Sequence, residues 1–301
     1  MTDPAGDRPA RLVLVSGHEF GLRAFQGVFS SAAFLAGQVE VPLMIGLDRG
    51  HAAATVGYRP LAGLAAEQRV AHVDTADGRL TSLAGRIRAA CPDYILVIGW
   101  SRLLPEEILS IPAQVTGGGP GRCGCIGMHP TRLPVGRGQA PIPWTIIKGC
   151  ASTALSVFFL EAGPDSGPVI AQYGLDVRPR ETAASLFYRV AAAHFTAGEQ
   201  LAGQLAAREV PAVTQDQALA SRWPKRRPAD GEIRPEMTGA QIDALVRALL
   251  GPYPRAFVVS CGQRRPVGRV WPGSCPPAPG PAGDWIGYEC SDGKVYLHSE
   301  C

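Results

Sequence analysis

CIGMHPTRLPVGRGQAPIPWTIIKG, residues 125–149, opens on a short apolar run and turns at once into His129-Pro130. A run of that length, stopped by a proline, suits a buried strand over Cys125–Met128 with His129 at its carboxyl end. On the amino-terminal side, apolar runs at 11–16, 39–45, 69–73 and 94–98 are strand-sized, and helical spacing fills the intervals 22–36 and 78–90. Strands alternating with helices predict βαβ units and a mostly parallel sheet. Ligands of such sheets bind in the crevice beyond the carboxyl ends of the strands, so His129 stands at a catalytic address. On the carboxyl side, 153–160 and 168–177 read as two more strands joined by a turn at Gly163–Gly167. A long amphipathic helix over 182–208 follows, with Leu186, Val190, Ala193, Ala197, Leu201 and Leu205 three or four residues apart.

The composition changes near residue 210. Residues 221–270 carry ten Arg or Lys against four acids, a short helix is expected over 238–250, and short strands run on to Leu297 around a proline- and glycine-rich loop, 272–283. The boundary therefore falls between a first domain, 1–210, and a small β-rich domain, 211–301.

Bulk properties narrow the class. In 301 residues, 46% are hydrophobic and 18% charged, which excludes a wholly disordered chain. A net charge of +3 does not mark a nucleic-acid binder. The apolar runs fall far short of a membrane span, and MTDPAGDRPAR at the start lacks the apolar core of a signal peptide. The eight cysteines show no repeated metal-ligand spacing and read as reduced thiols of a cytoplasmic protein. Cys123 and Cys125 flank a glycine near His129, but a fourth ligand has no obvious source, so no metal is expected.

Three groups are candidates for chemistry. Asp165 lies in the turn 36 residues after His129, where a carboxylate could orient the imidazole and raise its basicity. The competing reading is an aspartate capping its own backbone. His18-Glu19, after the first strand, either touches substrate or caps the first helix through Glu19. His194, on the long helix beside the apolar stripe, reads as structural.

The stretch HPTRLPVGRGQAPIPWTIIKG resembles the signature of the formyltetrahydrofolate-dependent formyltransferases. That pattern runs Asn-x-His-Pro, Leu-Pro, Arg-Gly-x-Ala-Pro-x-x-Trp, then Asp-x-Gly. This chain shows His129-Pro130, Leu133-Pro134, Arg137-Gly138-Gln139-Ala140-Pro141 leading to Trp144, and Asp165-Ser166-Gly167. Residues 221–257 resemble the start of that family's C-terminal domain, and Trp100-Ser-Arg-Leu-Leu-Pro105 its folate loop in sugar-modifying members. The fold so implied is a Rossmann-like α/β formyltransferase domain followed by a small OB-like β domain.

The function implied is transfer of a formyl group from N10-formyltetrahydrofolate, the co-substrate, to a primary amine. The acceptor would be a small molecule, an amino sugar or sugar nucleotide first and a biosynthetic intermediate next. His129 and Asp165 would be catalytic, together with the position of Gly127. Trp100, Arg102, Leu103, Leu104 and Gly163 would lie against the folate, and His18, Thr131, Arg137 and Gln139 would meet the substrate. No membrane partner is expected, tRNA is not the expected acceptor, and the sequence is compatible with a homodimer. The cluster Lys225-Arg226-Arg227 is expected to form interdomain salt bridges.

One departure stands out, because the family's catalytic Asn falls at Gly127. Losing one preorganised oxyanion donor costs about 10²–10³ in rate. Another donor could fill the gap: His129, a water, Gln139 or Thr131. A subgroup could run the same reaction with glycine, or the scaffold could bind folate with diverted or lost transfer. A glycine there would also leave room for a bulkier acceptor.

Overall fold

The structure is a computed structural model, and it describes residues 8–119, 121–273, 275 and 285–299. Its centre is a seven-stranded sheet. β1 (Ala10–Val15) pairs in parallel with β2 (Val39–Leu47) on one side and β4 (Tyr94–Ile98) on the other. β3 (Ala71–Thr75) extends β2, and β5 (Gly124–His129) extends β4, both in parallel. β7 (Ser152–Phe159) lies antiparallel to β5, and β8 (Val169–Asp176) completes the order β3-β2-β1-β4-β5-β7-β8. The strand order reverses between β1 and β4, so the carboxyl ends of β1, β4 and β5 border the switch point where such sheets bind ligands.

Burial on both faces explains the apolar strands: all five residues of β4 are buried, as are five of the six in β1. One face packs Val13, Val15, Ile45, Ile95, Val97 and Cys125 against Ile87, Ile108 and Ile111. The last two come from the short helices α5 (Glu106–Leu109) and α6 (Ile111–Thr116), and Ile87 from α4 (Ala84–Ala89). α1 (Glu19–Ser30) and the long α8 (Ala183–Ala206) touch backbone to backbone. A Cβ on Gly27 would lie 2.0 Å from the Phe195 carbonyl, and one on Gly198 would lie 2.0 Å from that of Ala24. Only glycine at both positions permits that approach.

Two helices differ from their sequence reading for local reasons. The expected helix over 22–36 is two helices, α1 and α2 (Ala32–Leu35), broken at Ser31. Ser31 takes extended geometry, donates its hydroxyl to the Val28 carbonyl and accepts from the Phe34 amide, so it ends one helix and caps the next. The helix expected over 78–90 shrinks to α4 behind a 3-10 turn. The strand expected at 69–73 starts two residues later, because Arg69 closes α3 (Ala62–Gln68) in the left-handed region at φ 56°.

Past β5 the chain forms β6 (Arg137–Gly138), paired with β9 (Arg222–Trp223), and α7 (Pro141–Ile147). The C-terminal part is a four-stranded antiparallel sheet, order β10-β11-β13-β12, with α9 packed on it. These elements are α9 (Gly239–Ala248), β10 (Ala256–Ser260), β11 (Gln263–Trp271), β12 (Trp285–Cys290) and β13 (Gly293–Ser299). Ile242, Leu245 and Val246 of the helix meet Val258, Val267, Val295 and Leu297 of the sheet. A capping box starts the helix, with Thr238 and Gln241 each bonding the other's backbone amide.

Two compact units result. One takes the residues up to Arg137 together with Ala154–Gly174 and Val190–Arg222, and the other takes Gly138–Thr153, Leu175–Arg189 and Trp223 onward. Most of the expected loop 272–283 lies outside the described residues.

Candidate active site

Register places the central histidine. Ile98, the last residue of β4, stands opposite Met128, so His129 projects one residue beyond its neighbour while Ser156 of β7 faces it on the other side. The imidazole is buried, and its Nε2 lies 2.8 Å from the Gly136 carbonyl, to which it donates. That bond puts the ring hydrogen on Nε2 and leaves Nδ1 as the nitrogen that takes up a proton. Nδ1 faces Asp165 Oδ2 at 3.8 Å, an ion-pair distance once the ring is charged. The sequence pairing of these two residues thus has a geometric counterpart. Asp165 reaches the histidine from the left-handed region, at φ 52°, within its turn.

The loop after His129 is braced from β7 and β8. Ser156 Oγ donates to the Thr131 carbonyl and accepts from the Leu133 amide and from Gln172 Nε2. Gln172 also donates to the Leu133 carbonyl. Thr131 is buried, with its hydroxyl toward the Gly136 carbonyl at 3.4 Å inside the loop.

Gly127 corrects the sequence reading most sharply. A Cβ there would sit 2.7 Å from Leu160 Cδ2 and 3.4 Å from Phe158 Cε1. The space beside the glycine is therefore occupied by the end of the Leu160 side chain, and a bulkier acceptor could enter there only by displacing it. Leu160 is held by its amide, which donates to the Cys125 carbonyl, and it packs against the same core cluster as Trp100. The composition of the strand carried no sign of this, since Leu160 lies 33 residues further along the chain.

The remaining candidates separate. His18 caps α1 itself: its Nδ1 accepts from the Phe20 amide at 3.0 Å, whereas Glu19, the expected cap, pairs with Arg23 and Arg59. Burial lowers the His18 pKa to about 4, against the opposing pull of Glu19. The Phe20 ring stacks on His194, 4.5 Å between centroids. His194 is fully buried, donates from Nδ1 to the Val190 carbonyl, and has no hydrogen-bond partner at Nε2. Burial lowers its pKa to about 3, with His18 and His129 acting in the same sense.

Of the expected folate residues, Leu104 belongs to the core, Trp100 packs at its margin, and Leu103 is 63% exposed. Arg102 is exposed beside Gly78, Gly163 is half-buried, and a Cβ on Gly163 would meet Ser166 Oγ at 2.5 Å. Arg137 donates from Nε and Nη2 to Gln215 and from Nη1 to Gln217, so its guanidinium grips a segment that sequence reasoning did not single out. Gln139 is exposed, and its amide bonds the Trp223 carbonyl.

Cys125 is buried, which pushes its thiol pKa up, and among the described residues no group of His, Cys, Asp and Glu could hold a metal ion. Arg226 lies over the Trp144 ring at 5.0 Å and donates to the Asp230 carbonyl, all inside the C-terminal unit. No helix of the described residues is long and apolar enough to cross a membrane.

Fold and site together define a mixed α/β domain that carries a histidine–aspartate pair at the carboxyl edge of its parallel strands. Residues 59–197 match the family model of formyl transferase. Among its relatives is the methionyl-tRNA formyltransferase of Myxococcus xanthus, 29% identical over 255 residues, 81% of this chain and 76% of that protein. Two solved structures share the fold. A methionyl-tRNA formyltransferase from Clostridium thermocellum has a TM-score of 0.61 at 20% identity, covering 97% of this chain and 98% of that one. An N-formyltransferase from Helicobacter canadensis, solved with folinic acid and dTDP-3-aminofucose, has 0.66 at 11% identity, covering 97% and 99%.

Proposed function

We propose that this protein moves a formyl group from N10-formyltetrahydrofolate to the primary amine of a small molecule, with an amino sugar or sugar nucleotide as the leading acceptor class. The observation that carries the reading is His129 at the end of β5, with Nδ1 toward Asp165, inside a formyl transferase domain. Formyltetrahydrofolate supplies an activated formyl carbon. As the amine nitrogen bonds to that carbon and the carbon–N10 bond breaks, the amine sheds a proton that must end on the departing N10. His129 Nδ1 is placed to carry it, and Asp165 stabilises the imidazolium in between. The apolar margin formed by Trp100, with exposed Leu103 beside it, suits one face of a pterin ring. A cytoplasmic enzyme with access to the folate pool fits this reading.

A second reading, with aminoacyl-tRNA as acceptor, is favoured by one observation. β11 leaves Arg264, Arg265 and Arg269 exposed within a single strand, a local excess of positive charge suited to phosphates. One assay separates the readings. The protein is mixed with formyltetrahydrofolate and a panel of amino sugars, sugar nucleotides, amino acids and charged tRNA, and products are weighed for the formyl gain. A formylated small amine supports the first reading. A product on tRNA alone, with binding that weakens steeply between about 50 and 200 mM salt, supports the second. Folate binding without any product sinks both and points to lost transfer.

A further inference from the structure

Gln215 lies 86 residues beyond His129 and comes from the segment after α8, where no motif marks it. Its side chain is buried, and every polar atom is engaged. Oε1 accepts two hydrogen bonds from Arg137, at 3.1 Å from Nε and 2.7 Å from Nη2. Nε2 donates to the carbonyls of Asp165 at 2.9 Å and Gly167 at 2.7 Å. The register is set two residues earlier, where Val213 and Val169 exchange both backbone hydrogen bonds at 2.8 Å. Gly167 in turn sits so close to the chain that a Cβ would lie 1.9 Å from the Phe159 carbonyl. The turn is thus pressed against the end of β7 on one side and held by one amide on the other.

That amide holds the turn from which Asp165 faces His129 Nδ1. Asp165 occupies the left-handed region, which an L-residue rarely adopts unless its surroundings enforce it. Two hydrogen bonds on the carbonyls of residues 165 and 167 do so. A guanidinium on Oε1 also polarises the amide and strengthens the donors on its nitrogen.

We propose that Gln215 is a positioning residue for the His129–Asp165 pair: its amide carries the hold of Arg137 through to the turn and sets the distance at which Asp165 meets the imidazole. The inference rests on the reading of those two residues as the proton-handling pair. It also gives Arg137 a role through Gln215 in place of direct contact with substrate.

The decisive variant is Gln215→Glu. It keeps the size and the bonds to Arg137 but turns a lone pair toward the two carbonyls, which should push the turn away. A crystal structure of the variant is expected to show the His129–Asp165 separation widened by about 1 Å or more with the rest of the domain superimposable. An unchanged separation overturns the proposal. This arm is readable even if no acceptor is ever formylated, so failure of the proposed function is distinguishable from failure of this inference. With an acceptor in hand, kcat should fall about 10- to 10²-fold with KM within twofold. The Asp165→Asn/Gln215→Glu double variant should then be no slower than Asp165→Asn alone. Losses that multiply would mean that Gln215 does not act through Asp165. Gln215→Met, uncharged and of similar length, takes the place of Gln215→Glu in both arms if that variant does not fold.

Discussion

Two regions approach His129 and are built from opposite materials. The turn 163–167 is held by hydrogen bonds: Gln215 grips two of its carbonyls, and Asp165 faces the ring from inside it. The strand two residues ahead of the histidine is held by apolar packing, with Leu160 and Phe158 closed over Gly127. The difference teaches where this site invests its polarity. The histidine–aspartate pair is backed by a network of charged and amide groups, whereas the spot where the family pattern places an amide is walled with hydrocarbon. A polar network is sensitive to the loss of one donor, and a packed wall is sensitive to added volume.

The largest effect that would sharpen the contrast is at the histidine. His129→Asn is expected to lower kcat by about 10²–10⁴, measured in steady state with the acceptor that the panel identifies. Asp165→Asn should cost about 10², because the ring loses the carboxylate that stabilises its charged form. If His129→Asn retained full activity, the polar half of the comparison would be broken.

Gly127→Asn tests the apolar half. The added side chain must displace Leu160, so the variant should lose about 1–3 kcal/mol in a denaturant melt and gain no rate. Adding Leu160→Ala relieves the clash. A kcat above that of Leu160→Ala alone would then show that an amide at this position still serves as an oxyanion donor. A single Gly127→Asn variant that is both stable and faster would overturn the packing argument.

Acid should weaken the region behind the histidine. His18 and His194 have pKa values lowered by burial from 6.5 to about 4 and about 3, so both are neutral in the fold while the unfolded chain takes up protons first. Their contribution is complete above pH 6.5 and is lost as the pH falls from there toward 4 and then 3, at up to about 1.4 kcal/mol per pH unit for each group. Urea melts at pH 7.5, 5.5 and 4.5 measure that slope. His194→Phe keeps the stack on Phe20 and should roughly halve the slope, leaving the part that belongs to His18. The smallest effect belongs to the C-terminal unit: Arg226→Gln removes the cation over Trp144 and should cost about 0.5–1 kcal/mol in thermal stability.

Legibility followed distance along the chain. β4 was readable to the residue, since five consecutive apolar positions between polar punctuation admit little else. The break at Ser31 was not, because a serine at a helix interior and one between two helices differ only in the backbone they adopt. His129 and Asp165 were readable as candidates from strand end, turn and family spacing. Gln215 and Leu160 were not, because a lone glutamine after a helix and a leucine after a strand have no local signal. Arg137 was legible as a residue but not as a contact, since its partners lie nearly eighty residues away.

The sequence by itself determined the alternation of strands and helices, the address of His129 and the absence of an amide at residue 127, because periodicity, punctuation and residue identity are local properties. Tertiary structure alone decided what fills the space at Gly127, which nitrogen of His129 faces Asp165, and which amide holds the Asp165 turn. Those outcomes depend on segments remote in sequence meeting within hydrogen-bond or van der Waals distance, and no local pattern encodes such meetings.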